Sequence, residues 1–489
     1  MDDDEIAAFA RSFSEFSQAM HTLALQSVGS PVRDALDRHL GEQTLKLPVV
    51  AENYPAYDHV NLQVALDAYL EADGRSHELI GLTGQQRRWM SLADLVASAH
   101  QSGVNVGSVD FMNLPIGPEE TLACVGFGLY LVEDRGTRLA MLVRVGNEDM
   151  GPGNAGVWVE VVCRDREASR SMLGEIRALM VERNVFRGQV ISFGESRMGN
   201  VTLGPIVFHR RPRLERDAIV LPEGVLDQVE RQVFGIAEQR ERLRAAGQHV
   251  KRGLLLHGPP GTGKTLTVRY VSSRAIEHTV VVLTGGGLAY VRAACSLARM
   301  LQPGIVILED VDLVAQHRMY GEYGNPLLFD VLNEMDGIEE DADVAFLLTT
   351  NRADLLEPAL AARPGRVDLA IDIPLPDADA RRRLLELYAR GLELRLDDPD
   401  SVVAATAGVT ASFMKELVRK SALVAALRDG GGDPLVVTDA DLSSALGELL
   451  DEGNALTRAL LGAGEPPPGT EWLQPGIQGG WVSPGDAEG

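Results

Sequence analysis

The segment HGPPGTGKTLTVRY, residues 257–270, restricts this chain more than any other part of it. Gly258, Gly263, Lys264 and Thr265 complete the spacing G-x-x-x-x-G-K-[ST], the Walker A pattern, between an apolar run, GLLLHG, and a helical pattern. In that context glycines let backbone N–H groups turn inward around phosphate oxygens at a helix N-terminus. Lys264 adds a point charge near the β and γ phosphates, and Thr265 offers a hydroxyl to magnesium. The expected triphosphate contacts are therefore Gly258, Pro259, Pro260, Gly261, Thr262, Gly263, Lys264, Thr265 and Leu266. Such an element demands strands that end beside it. Five apolar runs between 253 and 375 (GLLLHG, HTVVVLTG, GIVILEDVD, DVAFLLTTN and VDLAIDIPLP) alternate with helical stretches, which predicts a parallel sheet covered by helices.

Magnesium and water activation need acids at the end of a neighbouring strand. GIVILEDVD supplies them, a Walker B pattern in which Glu309, Asp310 and Asp312 follow four apolar residues. One acid is expected to hold the magnesium shell while the next accepts a proton from the attacking water. A solvated acidic cluster is the plainer alternative.

Around this core the sequence predicts further domains, since 489 residues with 45% hydrophobic content can build two or three. Residues 1–105 are expected to be mostly helical, and 106–210 to form a small α+β domain from runs such as TLACVGFGLYLVED, TRLAMLVRVG and GVWVEVVCRD. A charged, proline-bearing linker leads into a nucleotide-binding domain over 211–376, then a helical domain over 377–450. Residues 451–489, rich in Gly and Pro towards the end, are expected to be a flexible tail. A net charge of −24, with pI near 4.9, opposes nucleic acid partners, whose binding is driven by clustered Lys and Arg. Cys124, Cys163 and Cys295 lack any CxxC or Cys/His spacing, so a reducing compartment without a structural metal cluster is expected. The acidic start lacks a secretory signal pattern, and no apolar run approaches the roughly 20 residues that cross a bilayer. A cytoplasmic protein with no transmembrane segment is the expectation.

From about 216 to 450 the chain resembles an AAA-family ATPase module, on GPPGTGKT, NPLLFDVLNEMDGI (325–338), LLTTNRADLLEPALAARPGRVD (347–368) and GVTASFMKELVRKSALVAAL (408–427). The resemblance implies an α/β fold, a P-loop NTPase parallel sheet with a helical lid, preceded here by a helical plus α+β N-terminal region. It implies ATP with Mg as cofactors, with Thr265 and Glu309 on the metal and Asp310 activating water. Asn351 would polarise that water, while Arg363 and Arg366 would act as arginine fingers reaching a neighbouring subunit's nucleotide in a homo-hexamer. Asp336 and Gly337 in MDGI resemble an inter-subunit relay, or form an ordinary turn. In the lid, Gly408 and Ala411 are the nearest matches to a base-contacting segment; the alternative is a plain helix start capped by Thr410 or Ser412.

Three departures stand out. The acids read Glu309-Asp310 where most relatives have Asp then Glu, an order similar to that of the mitochondrial Rieske-protein translocating subfamily. EPALAARPGR carries one extra residue before its arginines. VVLTGGGLAYVRAACSLARM lacks the aromatic-apolar-Gly pore loop of threading relatives, leaving Tyr290, and Tyr320 and Tyr323 further on, as aromatics that either grip a polypeptide or pack. The expected function is a ring-forming ATPase that remodels, unfolds or disassembles a protein client chosen by the N-terminal region. The alternative is a slow nucleotide-dependent switch or scaffold ring; a nucleic acid remodeller is disfavoured by charge. Trp472 and Trp481 in the tail suggest a docking peptide or are incidental.

Overall fold

The structure is a computed structural model that describes Phe16 and most of residues 31–450. Within that span 42–43, 85–86, 88–89, 103, 147–154, 195, 199–200, 204–205, 313–332, 336, 340, 355–366 and 430–433 lie outside the described residues, as do the rest of 1–30 and all of 451–489. The chain divides into two compact units: Met1–Arg211 with Ala275–Ile307 and Gly337–Val344, and Pro212–Arg274 with Leu308–Asp336 and Ala345–Gly489.

The first unit is organised by two long strands, β5 (Thr121–Asp134) and β6 (Thr137–Val145), joined through Arg135 and Gly136, both at positive φ. That is the backbone of a two-residue hairpin whose twist matches the strands. Around it β1 (Val49–Tyr54), β2 (Arg75–Thr83), β3 (Asn105–Gly107), β4 (Asp110–Pro115) and β7 (Val157–Cys163) complete a sheet of order β1-β7-β6-β5-β2-β3, with β4 also paired to β5. Its strand pairings among the described residues are antiparallel. Both faces are covered. Leu139, Met141 and Val143 of β6 enter a core with Leu66 and Tyr69 of α2 (His59–Leu70) and Met172 and Ile176 of α4 (Arg166–Glu182). The alternate residues Ala140 and Leu142 pack with Leu36 of α1 (Pro31–Leu40) and Leu95 of α3 (Leu92–Ser102). A strand buried on both sides reads as one apolar run, as LAMLV does.

This sheet corrects the expected division at residue 105. The segment 1–105 contributes β1 and β2 as well as helices, β3 straddles the division, and β1 pairs with β7 from Val49↔Val162 to Tyr54↔Val157. A second boundary also moves. β8 (Val190–Phe193) runs parallel to β13 (Thr279–Thr284), with Val190 opposite Val280, and β11 (Ile206–His209) pairs antiparallel with β8. Two further strands, β9 (Ser196–Met198) and β10 (Val201–Leu203), form a small ribbon between them in sequence. The order in this unit is β11-β8-β13-β14, where β14 (Gly304–Glu309) begins here and ends in the second unit.

In the second unit the order is β14-β15-β12-β16. β12 (Arg252–His257) lies parallel to β15 (Val344–Thr350) on one side and to β16 (Leu369–Asp372) on the other, as the apolar runs predict. α5 (Val225–Glu230) precedes β12 in sequence, and α6 (Lys264–Arg274) follows the Walker A loop. Beyond β16, α8 (Ala378–Tyr388), α9 (Pro399–Ala405), α10 (Ala411–Asp429) and α11 (Asp439–Leu450) form the expected helical lid; α7 (Val291–Met300) belongs to the first unit. Leu384, Phe413, Leu417, Leu442 and Leu449 make the lid's core. A short parallel pair, β17 (Glu393–Arg395) with β18 (Val436–Thr438), joins the helices and was not expected from sequence.

Candidate functional site

The Walker A loop turns where β12 ends. Gly258 has φ of 140°, and a Cβ there would lie 2.3 Å from the Ile373 carbonyl oxygen, so the backbone passes too close for any side chain. Gly261, at φ 77°, lies under the start of α10: its carbonyl accepts bonds from Ser412 N–H (3.1 Å) and Ser412 Oγ (3.3 Å). Thr410 caps α10 by accepting from Phe413 N–H, so both lid hydroxyls weighed in the sequence are used, one as cap and one on the loop. Lys264, 5% exposed, donates to the carbonyls of Gly258 and Pro259 at 2.8 Å each. Burial pulls its ammonium below the usual lysine range, against the opposing charges of Asp310, Asp312 and Asp372.

At the end of β14 the acids divide by environment. Glu309 accepts a hydrogen bond from Thr265, yet its Oε1 is buried without a hydrogen-bond partner among the described residues. Burial raises its pKa, with Asp310 adding to the rise. A buried, unpartnered carboxylate oxygen beside the Walker A hydroxyl fits a hard divalent cation, so this pair passes the test for magnesium. Asp310 has φ of 51°; its N–H donates to Thr349 Oγ1 (3.0 Å) and its Oδ1 accepts from Asn351 Nδ2 (3.3 Å). Burial first, and Asp312 next, raise the Asp310 pKa, while Lys264 and Asn351 restrain the rise. Asp312, 3% exposed, accepts from Thr350 Oγ1 (2.9 Å) and Asn351 N–H (3.1 Å).

These groups meet at one cavity of about 420 Å³ lined by Pro260, Gly261, Gly263, Lys264, Thr265, Leu266, Asp310, Asn351, Tyr388, Ala411, Ser412 and Lys415. Its volume lies in the range of small-molecule and cofactor sites. Gly258, Pro259, Thr262 and Glu309 stand beside it in sequence without lining it. Sequence reasoning missed Thr349, Thr350, Tyr388 and Lys415. A usable signal existed for one of them: Lys415 lies four residues after Ala411 and so on the same helix face. Arg363 and Arg366, Tyr320 and Tyr323, Asp336, Trp472 and Trp481 lie outside the described residues. Tyr290 is described: its ring stacks on Phe193 at 5.0 Å with 13° between planes, and Phe193 meets Tyr57 edge-on at 5.6 Å.

A Walker A loop at the end of a parallel strand, acids at the end of β14 one strand further along the sheet, beyond β15, and a helical lid define a P-loop nucleoside triphosphatase. Residues 254–375 match the ATPase family associated with various cellular activities (AAA), so this part of the chain is an AAA ATPase domain, an ATPase with ATP and Mg as its cofactors. The ATP-dependent zinc metalloprotease FtsH 3 of Sphaerobacter thermophilus is 36% identical over 45% of this chain and 46% of its own length. The corresponding figures are 33%, 49% and 37% for ATP-dependent zinc metalloprotease FtsH 1 of Conexibacter woesei. They are 32%, 53% and 40% for ATP-dependent zinc metalloprotease FtsH of Acidimicrobium ferrooxidans. The chain thus spans less than half the length of these curated relatives. The zinc chemistry in their names is theirs: the ten histidines here include no His-Glu-x-x-His. Among the described residues, no helix is long and apolar enough to cross a membrane.

Proposed function

We propose that this protein is the subunit of a homo-hexameric ring that spends ATP to remodel, unfold or disassemble a protein client engaged through its N-terminal region. The observation that carries the reading is the convergence of Lys264, Thr265, Asp310 and Asn351 on one cavity under the lid. Lys264 and the loop N–H groups bind the phosphates. Thr265 and Glu309 would hold magnesium, which when bound neutralises charge on the β and γ oxygens. Asp310 accepts the proton of the attacking water, and its raised pKa makes it a stronger base than an ordinary aspartate. Asn351 orients the water beside it, and Arg363 and Arg366 complete the site from a neighbouring subunit. Cys124, Cys163 and Cys295 are buried and form no disulfide among the described residues, which suits a cytoplasmic location.

Asp310→Asn is the direct test. Binding of a fluorescent ATP analogue should stay within about 3-fold of wild type, while hydrolysis falls at least about 100-fold. The ATP-locked variant should also retain a recurrent protein from extract, and Lys264→Ala added to it should release that protein. Hydrolysis at the wild-type rate would sink the assignment of Asp310.

One observation favours the second reading, a switch that does not thread. Tyr290, the aromatic left near the place of the pore tripeptide that this chain lacks, is stacked on Phe193. If the switch reading holds, turnover is unaffected by unfolded protein and by Tyr290→Ala; stimulation by an unfolded protein, lost in Tyr290→Ala, supports threading.

A further inference from the structure

We propose that Asp312 is a positioning residue for hydrolysis, holding Asn351 in place and through it the carboxylate of Asp310; this rests on the reading of Asp310 as the proton acceptor. The parallel register of β12 with β15 ends at His257↔Thr350, so Asn351 is the first residue past the ladder. Its N–H needs another acceptor. Asp312 Oδ1 provides it at 3.1 Å, and the same oxygen takes the Thr350 hydroxyl at 2.9 Å. An almost fully buried carboxylate is tolerated only when donors of this kind repay its desolvation, and bonds to an ionised acceptor are the stronger ones.

Those two bonds fix where the Asn351 side chain starts. Its amide then donates to Asp310 Oδ1, while Asp310 N–H is held separately by Thr349 Oγ1. Residues 310–312 are thereby laced to 349–351 by four bonds, of which Asp312 accepts two. Loss of the Asp312 carboxylate leaves the Thr349 bond to hold the Asp310 backbone but frees Asn351. The damage should therefore appear in the chemical step, since neither Asp312 nor its two donors line the nucleotide cavity directly except through the Asn351 side chain. A shift of about 1 Å in a positioned group costs up to about 100-fold in rate.

The experiment compares Asp312→Ala, Asp312→Asn and Asp310→Asn in the full chain, by steady-state ATPase kinetics, titration with a fluorescent ATP analogue and thermal melting. Asp312→Ala should lower kcat by about 10- to 100-fold with analogue affinity within about 3-fold of wild type. Asp312→Asn keeps an acceptor oxygen and should restore kcat to within about 3-fold. The proposal is overturned if Asp312→Ala keeps its kcat, if the alanine and asparagine variants lose kcat alike, or if affinity falls in step with kcat. Should Asp312→Ala fail to melt cooperatively, Thr350→Val decides: a fall in kcat of about 3- to 10-fold at unchanged affinity supports positioning, and an unchanged kcat overturns it. Asp310→Asn separates the two claims, because wild-type hydrolysis in that variant defeats the acceptor reading whatever Asp312 does.

Discussion

Asp310 occupies a left-handed backbone conformation, φ 51°, that costs most side chains about 1–2 kcal/mol and that Asp and Asn tolerate best. The order Glu309-Asp310 therefore puts the shorter carboxylate where the chain needs a residue suited to positive φ. A different buried group, His59 in α2, makes the first unit sensitive to acid. Its Nε2–H donates to the Val125 carbonyl at 3.0 Å, its Nδ1 is buried without a partner among the described residues, and burial lowers its pKa from 6.5 to about 4. Because the folded pKa lies below the unfolded one, the unfolded chain takes up a proton that the fold excludes. Stability is intact above about pH 6.5 and declines as pH drops towards 4, by about 3 kcal/mol in all. Asp58 next to it has a raised pKa from burial, so the fold takes up that proton first and offsets part of the loss at the acid end. Comparison with His59→Gln, which keeps a donor but does not titrate, isolates the histidine. Chemical denaturation at pH 7.5 and pH 5 should show the wild type losing about 2 kcal/mol more than the variant between the two.

At the scale of elements, the first sheet makes the division at residue 105 physically untenable. β5 is flanked by β2 and β6, and β7 by β1 and β6, so strands from both sides of that division pair within one sheet. A fragment of 106–210 would expose the ladder edges of β5 and β7 and strip the cores of Leu36, Leu66, Tyr69 and Leu95. We expect it to show no cooperative urea transition, whereas the full chain does; a sharp transition and dispersed amide resonances from the fragment would contradict this. The same contrast explains what was legible in the sequence. Phosphate binding requires contiguous residues at fixed spacing, so the Walker A loop could be read directly; Glu309-Asp310 stood out as acids after an apolar run, Asn351 was reached through the family resemblance, and the strands β12 to β16 showed as apolar runs. The pairing of β1 with β7, over a hundred residues apart, and of β8 with β13 could not, because which strands meet is decided by packing at long range rather than by local pattern. Tyr388 and Thr350 were hidden for the same reason: each gains its meaning from a neighbour distant in sequence.

Whether the working molecule is a ring turns on whether one chain completes its own active site. In the proposed reading the cavity supplies a phosphate loop, a base (Asp310) and an orienting amide (Asn351), all from one chain. The charge that spreads over the γ-phosphate oxygens in the transition state calls for a guanidinium as well, and in this reading Arg363 and Arg366 bring it from the next subunit. Two classes of inactive subunit should then complement each other. An Asp310→Asn subunit lacks the base at its own site but offers intact arginines to its neighbour; an Arg363→Ala, Arg366→Ala subunit has the base but offers no arginines. In an equal mixture that assembles at random, about a quarter of interfaces join an intact base to intact arginines, so the mixture should recover up to about a quarter of wild-type turnover although each component alone is inactive. Recovery should also require assembly, appearing only at concentrations where light scattering reports a multimer. A mixture that stays as inactive as its components, while forming mixed multimers, would mean that each site is complete within one chain. The arginines would then serve another purpose, and a homo-hexamer would no longer be required for hydrolysis.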